Sequence, residues 1–508
     1  MKYLVGVDEG TTGCKATIFD EDGKKISSSS KEYKSYYPNP GWVEQDLEEI
    51  KYSFFGCIKK AIYNAPIDAN DIVGISHSNQ GITLVLLDEN ENNVLDHTIG
   101  WQDLRYTTIM EETSKKVDND AYYEISGMNF GTYNIPTLIW LQKNMPNAWK
   151  RVKRICSHQD YFLRQYGASG FFIDEGNTNF LSMADMKTNS WNKNLMDVYN
   201  IDESYLPEII HTPGTIVGHV TKEVSDLTGL PEGCNVCLGG LDANCCAMAA
   251  GANKSGTQVL IMGTAGVSIL ATDNNELDNN KRITVRSNPG FGNWQYYIMT
   301  NTGASAFRWF RDEMCTMEVA TSKLMNVDPY DLITKIASSS KPGANGVYAL
   351  TCIQGSHTRI KNEKARGTFF GINLGTTKSD IAQAILEGIC FEMRDILDMN
   401  EELANSKVKK IRLCGGVSKS PMWCQMFADI FGRPIELTEE KELGCLGAAM
   451  CAGIGAGLYK DCNDAVEKCV KIEKIFNPNE ELSKLYNEIF EEWKKIYKIT
   501  NEKIYIEK

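Results

Sequence analysis

Short apolar runs alternate with glycine-rich turns at the start of the chain. LVGV is followed by DEGTTGCK, ATIFD and the turn EDGK, which predicts a β-hairpin closed by a Gly-rich connection. After Gly41 the period changes. In VEQDLEEIKYSFFGCIKKAI the apolar side chains recur at helical spacing, with Asp46 where an N-cap belongs. IVGIS and TLVLLD then read as two more strands, and CNVCLGG, QVLIMG and VSILATD repeat the theme around residue 250. Strands and helices intermixed in this way predict an α/β chain. The polar run TDNNELDNNKRI (272–283) reads as a surface loop. Beyond Pro478, the spacing of Leu482, Leu485, Ile489, Trp493 and Ile496 predicts one amphipathic helix packed across the body.

Two of these hairpins echo one another. LVGVDEGTTGCKATIF (4–19) and VLIMGTAGVSIL (259–270) both read as strand, Gly-Thr turn, strand, which predicts a duplicated core. Glycines let a backbone approach a ligand closely, and consecutive N–H groups form an anion-binding nest to which Thr hydroxyls add donors. Two facing turns would grip a polyphosphate from both sides, although a lone Gly-Thr is usually only a tight turn. Asp8 ends the first strand just before its turn. Its carboxylate suits a hydrated Mg²⁺ beside phosphates or caps the turn. Lys15, two residues beyond Gly13, stands ready to neutralise phosphate or to be solvated.

Length and charge narrow the classes. With 508 residues the chain exceeds one ordinary core, and a net charge of −13 argues against nucleic-acid binding, which depends on clustered Lys and Arg. MKYLVGVD carries no cleavage signal and no long apolar span follows, so the expectation is a cytoplasmic protein without a membrane partner. Sixteen scattered cysteines fit buried reduced thiols better than a disulfide framework. Cys234-x-x-Cys237 has zinc spacing, yet at a strand end residues three apart face opposite sides.

LGGLDANCCAMAAG (238–251) sets one carboxylate, Asp242, between paired glycines and a run of small residues. It reads as an N-cap that the helix dipole keeps ionised. A chemical role requires partners elsewhere in the chain.

In order along the chain, VDEGTTGCKATIFDEDGK, PGWVEQD, GGLDANCCAMAAG, MGTAG, GTFFGINLGTTKSDIAQAILEG and LCGGVSKSPMWCQMFAD resemble the FGGY family of carbohydrate kinases. The resemblance spans Tyr3 to about Tyr459 and is most specific over 367–387, while in PTLIWLQKN Thr137 stands where the family's first signature has Lys. It implies a two-domain α/β fold of the actin and hexokinase (ribonuclease H-like) type with a deep interdomain cleft, ATP and Mg²⁺ as cofactors, and a small sugar or polyol as partner. The implied segments are 1–250 (sugar, first phosphate turn, base), 251–460 (second phosphate turn, adenosine) and 461–508 (a helical extension). The family also suggests a homodimer. By resemblance Asp242 is the catalytic base, which also touches substrate, and Asp8 the metal-site acid. Gly10, Thr11 and Thr12 form the first phosphate turn, Gly263 and Thr264 the second, and Lys15 is a basic phosphate contact. Gly303 lies one residue from a nucleotide-contacting Gly, and Gly415 and Gly416 match the adenosine turn with Ser420 beside it.

The acceptor is read by comparing patterns within the family. In SHSNQGITLVLLD (76–88) Gly81 and Ile82 fall where glycerol kinases carry an Arg-Glu pair, so glycerol is disfavoured. Against the xylulokinase pattern Met-His-Gly, Asn79 and Gln80 precede the matching Gly81, so the resemblance makes Gln80 and Gly81 substrate-binding positions, with Gln80 keeping donor and acceptor capacity. IGWQDLR resembles a xylulokinase phrase, which puts Trp101, Gln102 and Asp103 in the sugar pocket; core packing of Trp101 and an Asp103–Arg105 salt bridge are the bland alternatives. The expectation is phosphorylation of a primary hydroxyl of an open-chain ketopentose such as xylulose. Alternatives are L-xylulose, ribulose, a tetritol, gluconate or an autoinducer-type furanone, and, from another class, an actin- or chaperone-like ATPase switch. GTT (375–377) reads as a loop and cap, GSHTRIKNEKARG (355–367) as a solvated basic patch, and His77 more as a core residue than a sugar contact.

Overall fold

The computed structural model describes residues 1–505, which form two compact units. The first contains Met1–Asn253, Thr284–Gln295 and Glu442–Val470; the second contains Lys254–Ile283, Tyr296–Lys441 and the chain from Lys471 on. These units are discontinuous and so are drawn differently from the segments 1–250, 251–460 and 461–508. The difference arises in the helix Leu443–Gly455, LGCLGAAMCAGIG, whose small apolar residues pack against the strand Tyr3–Glu9 and the helix Asp242–Ala249. Residues 506–508 of the expected extension lie outside the described residues.

In the first unit, strands Tyr3–Glu9 and Gly13–Asp20 form the expected antiparallel hairpin, with Asp8 opposite Lys15 and Glu9 opposite Cys14. Lys25–Glu32 extends it on one side. On the other side, Ile72–Asn79 runs parallel to Tyr3–Glu9, and Asn235–Leu241 runs parallel to Ile72–Asn79. Ile216–His219 closes that edge antiparallel. Asp46 caps the helix Leu47–Asn64 by accepting from the N–H groups of Glu48 and Glu49. That helix buries Ile50, Phe54 and Ile58 against Val5, Val7, Ile18 and Ile75, with Phe162 and Tyr166 in the same cluster.

The second unit repeats the arrangement. Thr257–Met262 and Gly266–Thr272 form an antiparallel hairpin, Lys410–Gly415 is parallel to the first of them, Ile435–Thr438 is parallel to that, and Ile472–Phe476 closes antiparallel. The Gly-Thr echo in the sequence is therefore a repeated sheet in which each turn joins equivalent strands. The most family-specific stretch serves as scaffold here. Thr377 and Asp380 form a capping box at the head of the helix Lys378–Ala404, and Glu387 accepts from Gly343 N–H at 2.8 Å and from Tyr486 Oη at 2.9 Å.

The tail helix, Glu480–Ile499, exists as predicted, with Trp493 of the expected series buried, Leu482, Ile489 and Ile496 half-buried, and Leu485 outside the core face. Tyr486, Phe490, Trp493 and Tyr497 are buried, whereas Leu485 is 40% exposed. Successive aromatic rings stack, Phe490 on Trp493 and Trp493 on Tyr497, so the most buried stripe is rotated toward the larger rings.

Candidate active site

Three parallel strands of the first unit end at one level. Glu9 is in register with Asn79, and Asn79 with Leu241. The chain therefore delivers Gly10, Gln80 and Asp242 side by side beyond the carboxyl ends of these strands, the edge at which open α/β sheets bind ligands.

Asp8, one residue inside that edge, accepts a hydrogen bond from Ser78 Oγ at 2.7 Å. A Cβ on Gly444 would lie 2.4 Å from an Asp8 carboxylate oxygen, so only glycine lets the head of the helix Leu443–Gly455 close over this group. Burial, opposed by the Ser78 hydrogen bond and reinforced by the Glu9 charge, pushes the Asp8 carboxyl up to about 6. Lys15 is held by Glu442, Nζ to Oε2 at 2.5 Å.

Asp242 is the first residue of its helix. The cap is Leu241, and the Asp242 carboxylate accepts from the neighbouring Ala243 N–H at 2.6 Å. This corrects the expectation of an N-cap aspartate held ionised by the dipole. Burial first, then the charges of Asp8 and Glu9, push its carboxyl up to about 7, and the single backbone hydrogen bond only partly opposes them. A short helix with one N–H engaged cannot offset two nearby negative charges in a poorly hydrated site.

In the second unit, the turn Gly263–Ala265 is closed by a hydrogen bond from Gly263 N–H to Ala265 O at 3.0 Å, and Gly263 O accepts from Ala304 N–H at 2.9 Å. A Cβ on Gly303 would come within 2.6 Å of Ala265 O and Gly266 N, so Gly303 is the small residue against which this turn rests. Gly415 has φ +85°, and a Cβ there would meet Met262 O at 2.4 Å. Gly416 opens onto free space. Ser420 caps the helix Pro421–Phe431 by accepting from Trp423 N–H, so its hydroxyl already has a structural use.

Models for the FGGY family of carbohydrate kinases match this chain, the N-terminal domain over residues 3–249 and the C-terminal domain over 259–456. The chain belongs to the FGGY family of carbohydrate kinases. A xylulose kinase of Lactococcus lactis is 29% identical over 509 residues, covering 99% of this chain and 98% of its own. A glycerol kinase of Bacillus subtilis is 26% identical over 505 residues, covering 98% of each. The crystal structure of ligand-bound xylulose kinase from Lactobacillus acidophilus aligns with a TM-score of 0.88 at 23% identity, covering 99% of both chains. That likeness establishes the actin- and hexokinase-type fold, built from the two mixed α/β sheets described above.

The residues expected at the sugar pocket of this FGGY kinase fall into two groups. Trp101 is partly exposed, and its indole N–H donates to Thr11 Oγ1 at 2.9 Å, tying the GWQD loop to the first Gly-Thr turn. Gln102 and Thr12 are exposed. Asp103 is instead fully buried: Oδ2 accepts from Val43 N–H and Arg105 Nη2, each at 2.8 Å, and Oδ1 from Arg105 Nε at 2.8 Å. It anchors the loop and faces no open space. The Arg105 guanidinium also stacks 3.9 Å over Trp42, so the alternative salt bridge is the one realised. Gly81 leaves no room for a side chain, since a Cβ would lie 2.4 Å from Leu241 Cδ1. The next residue, Ile82, is buried at φ +60°, a backbone region that β-branched residues rarely enter. His77 is fully buried, Nδ1 3.1 Å from Tyr166 Oη and packed on Phe54 and Phe162, and burial pushes it down to about 3.

Sequence reasoning missed the groups behind Gln80. Glu9 is fully buried, receiving Tyr33 Oη at 3.1 Å and Gln80 Nε2 at 2.5 Å, with His158 Nδ1 3.2 Å from both its oxygens. The available signal was faint, because Glu9 follows Asp8 directly after the apolar run LVGV and reads as the first residue of the turn. All sixteen cysteines are free thiols.

Proposed function

We propose that this FGGY kinase transfers the γ-phosphoryl group of ATP to a primary hydroxyl of a small open-chain ketose, with D-xylulose its preferred acceptor and Asp242 its base. The carrying observation is the convergence of Asp8, Gln80 and Asp242 at the ends of adjacent parallel strands, with the Asp242 carboxyl at about 7. A base works best when its pKa lies near the operating pH, and phosphoryl transfer otherwise needs positioning and charge neutralisation more than covalent chemistry. Gly10, Thr11, Thr12 and Lys15 in the first unit, and Gly263, Thr264, Gly303, Gly415, Gly416 and Ser420 in the second, are the residues we assign to the nucleotide.

Asp8 is the group we assign to Mg²⁺. The fit rests on chemistry visible in the first unit, where Asp8, Glu9 and Asp242 interact repulsively and Lys15 is the cation that relieves Asp8. Among the described residues no three His, Cys, Asp or Glu side chains group closely enough to hold a metal. A Mg²⁺ ion there would take most of its oxygens from water and phosphate, its usual preference. When bound, it would neutralise phosphate charge.

Similarity to a xylulose kinase supports the acceptor, as do Gly81 and the buried Ile82, neither of which offers a polar side chain to a triol. No described helix is long and apolar enough to cross a membrane, and dependence on ATP supports a cytoplasmic site of action. ADP release should be measured with D-xylulose, L-xylulose, D-ribulose, erythritol, glycerol and gluconate. The reading requires the highest kcat/KM on D-xylulose, and a higher value on any other compound overturns the acceptor.

A further inference from the structure

The second Gly-Thr turn hangs by its carbonyls from the segment that opens the helix Ser305–Met314. Gly263 O accepts from Ala304 N–H at 2.9 Å and Thr264 O from Ser305 N–H at 3.2 Å. In a planar trans peptide the N–H points opposite to the C=O, so these two bonds turn the N–H groups of Thr264 and Ala265 away from the segment. Gly263 and Thr264 are exposed, which leaves that outer side open. The segment is itself held one step back, at Thr300, the last residue of the strand Asn293–Thr300. The Thr300 hydroxyl donates its single hydrogen to Glu392 Oε1 at 2.8 Å and accepts from Thr302 N–H at 3.4 Å. Its methyl then faces Gly266, where a Cβ would lie 2.9 Å from Thr300 Cγ2. Glu392, on the helix Lys378–Ala404, is only 5% exposed, and its hydrogen-bond partners are two hydroxyls, Thr300 and, at 3.3 Å, Thr351, rather than a cation. Burying a carboxyl without a cation is costly, and burial pushes this one up to about 7.

We propose that Glu392 is a positioning residue for the nucleotide: by fixing the hydroxyl of Thr300 it seats residues 300–305 against the second Gly-Thr turn and keeps the Thr264 and Ala265 N–H groups aimed at phosphate. Glu392 acts at two removes, through Thr300 and then through the segment that holds the turn. Consecutive N–H groups set in advance by such a brace form an anion site that does not have to reorganise when phosphate arrives. The second oxygen of Glu392 provides an internal comparison. Thr351, which bonds it, directly follows the strand Tyr348–Leu350 and is not part of the segment under the turn. This inference rests on the assignment of the turn to ATP above and adds the group that holds it in shape.

The test measures KM for ATP, KM for the sugar and melting temperature in wild type, Glu392→Met, Glu392→Gln, Thr300→Val and Thr351→Val, with the fastest sugar as acceptor. Glu392→Met and Thr300→Val each break the bond that fixes the segment and should raise KM for ATP about 10-fold, the effect of one hydrogen bond to an acid, while KM for the sugar stays within about 2-fold. In Glu392→Gln the amide oxygen still accepts from Thr300 and the nitrogen donates to Thr351, so KM for ATP should return close to wild type. Thr351→Val removes the other bond to the same carboxyl and should lower the melting temperature with KM for ATP within about 2-fold. KM for ATP unchanged in Thr300→Val, or raised as much by Thr351→Val, overturns the proposal, as does a Glu392→Gln no better than Glu392→Met. Should Glu392→Met fail to fold, by its melting curve, the two threonine variants decide. Gly303→Ala separates the proposal from the reading beneath it. If KM for ATP is unchanged there, the turn leaves the nucleotide site and the proposal falls with it; a rise there beside an unchanged Thr300→Val removes Glu392 alone.

Discussion

Lys15 Nζ donates to Glu442 Oε2 at 2.5 Å, linking the second strand of the chain to the residue that precedes the helix Leu443–Gly455. Both side chains are close to a third exposed, so the pair itself contributes at most about 1 kcal/mol to folding. A phosphate role for Lys15 separates cleanly from a structural one. Lys15→Met should lower kcat/KM for ATP by about 10- to 100-fold, with little change in melting temperature. Unchanged kinetics would reduce Lys15 to a surface ion pair.

Asp242→Asn removes the base while preserving shape. Turnover should fall by about three orders of magnitude or more, with sugar and nucleotide binding retained by calorimetry. In wild type, kcat/KM should decline as pH drops through about 7, because a base must be deprotonated to accept the hydroxyl proton. A profile flat down to pH 5 would remove Asp242 from the mechanism.

The same carboxyls set a stability dependence of definite sign. Asp8 and Asp242 have folded-state values raised to about 6 and about 7, so the fold prefers their protonated forms. Their contribution is complete below the ordinary carboxylate range and is lost as pH rises through those values. Without nucleotide and metal, Asp242→Asn should therefore melt higher than wild type at about pH 8, with the gain shrinking toward about pH 5. Thermal melts across that range check it, and a gain largest in acid contradicts it.

Gly303→Ala tests the second turn. The added methyl would enter the space of Ala265 O and Gly266 N, where backbone must move. A loss of about 1 to 3 kcal/mol in stability is expected, together with a raised KM for ATP and a KM for the sugar less affected. Denaturant melts and initial rates with ATP varied measure both.

Two substitutions on the tail helix discriminate its faces. Trp493→Ala should cost about 3 to 5 kcal/mol, because the ring is buried and its N–H donates to Ala349 O at 3.0 Å. Leu485→Ala should stay within about 0.5 kcal/mol, as an exposed position does. The reverse order would place the buried stripe on the Leu485 side of the helix.

Local chemistry made much of this legible in advance. The Asp46 cap, the Gly-Thr hairpins and the capping box at Thr377 depend on residues within a few positions of one another, and each stands where its pattern put it. The tail helix was visible by its period, while its most buried stripe was not, since Leu485 and Ile489 and the rings one position on, Tyr486 and Phe490, fit the same 3.6-residue repeat around the shared Trp493 and only the surface they meet chooses between them.

The sequence by itself determined the α/β class, the repeated strand–turn–strand core and the family, because these rest on periodicity and on motifs contiguous in the chain. Tertiary structure alone decided the states of the groups. It turned Asp103 into a buried anchor for Arg105, sent His77 into an aromatic core, and joined Lys15 to Glu442. It also raised Asp242 to about 7 and aligned Gln80 through Glu9 and Gln45. Burial, charge proximity and hydrogen-bond direction depend on atoms brought together from distant parts of the chain, and no local pattern encodes which side chains will meet.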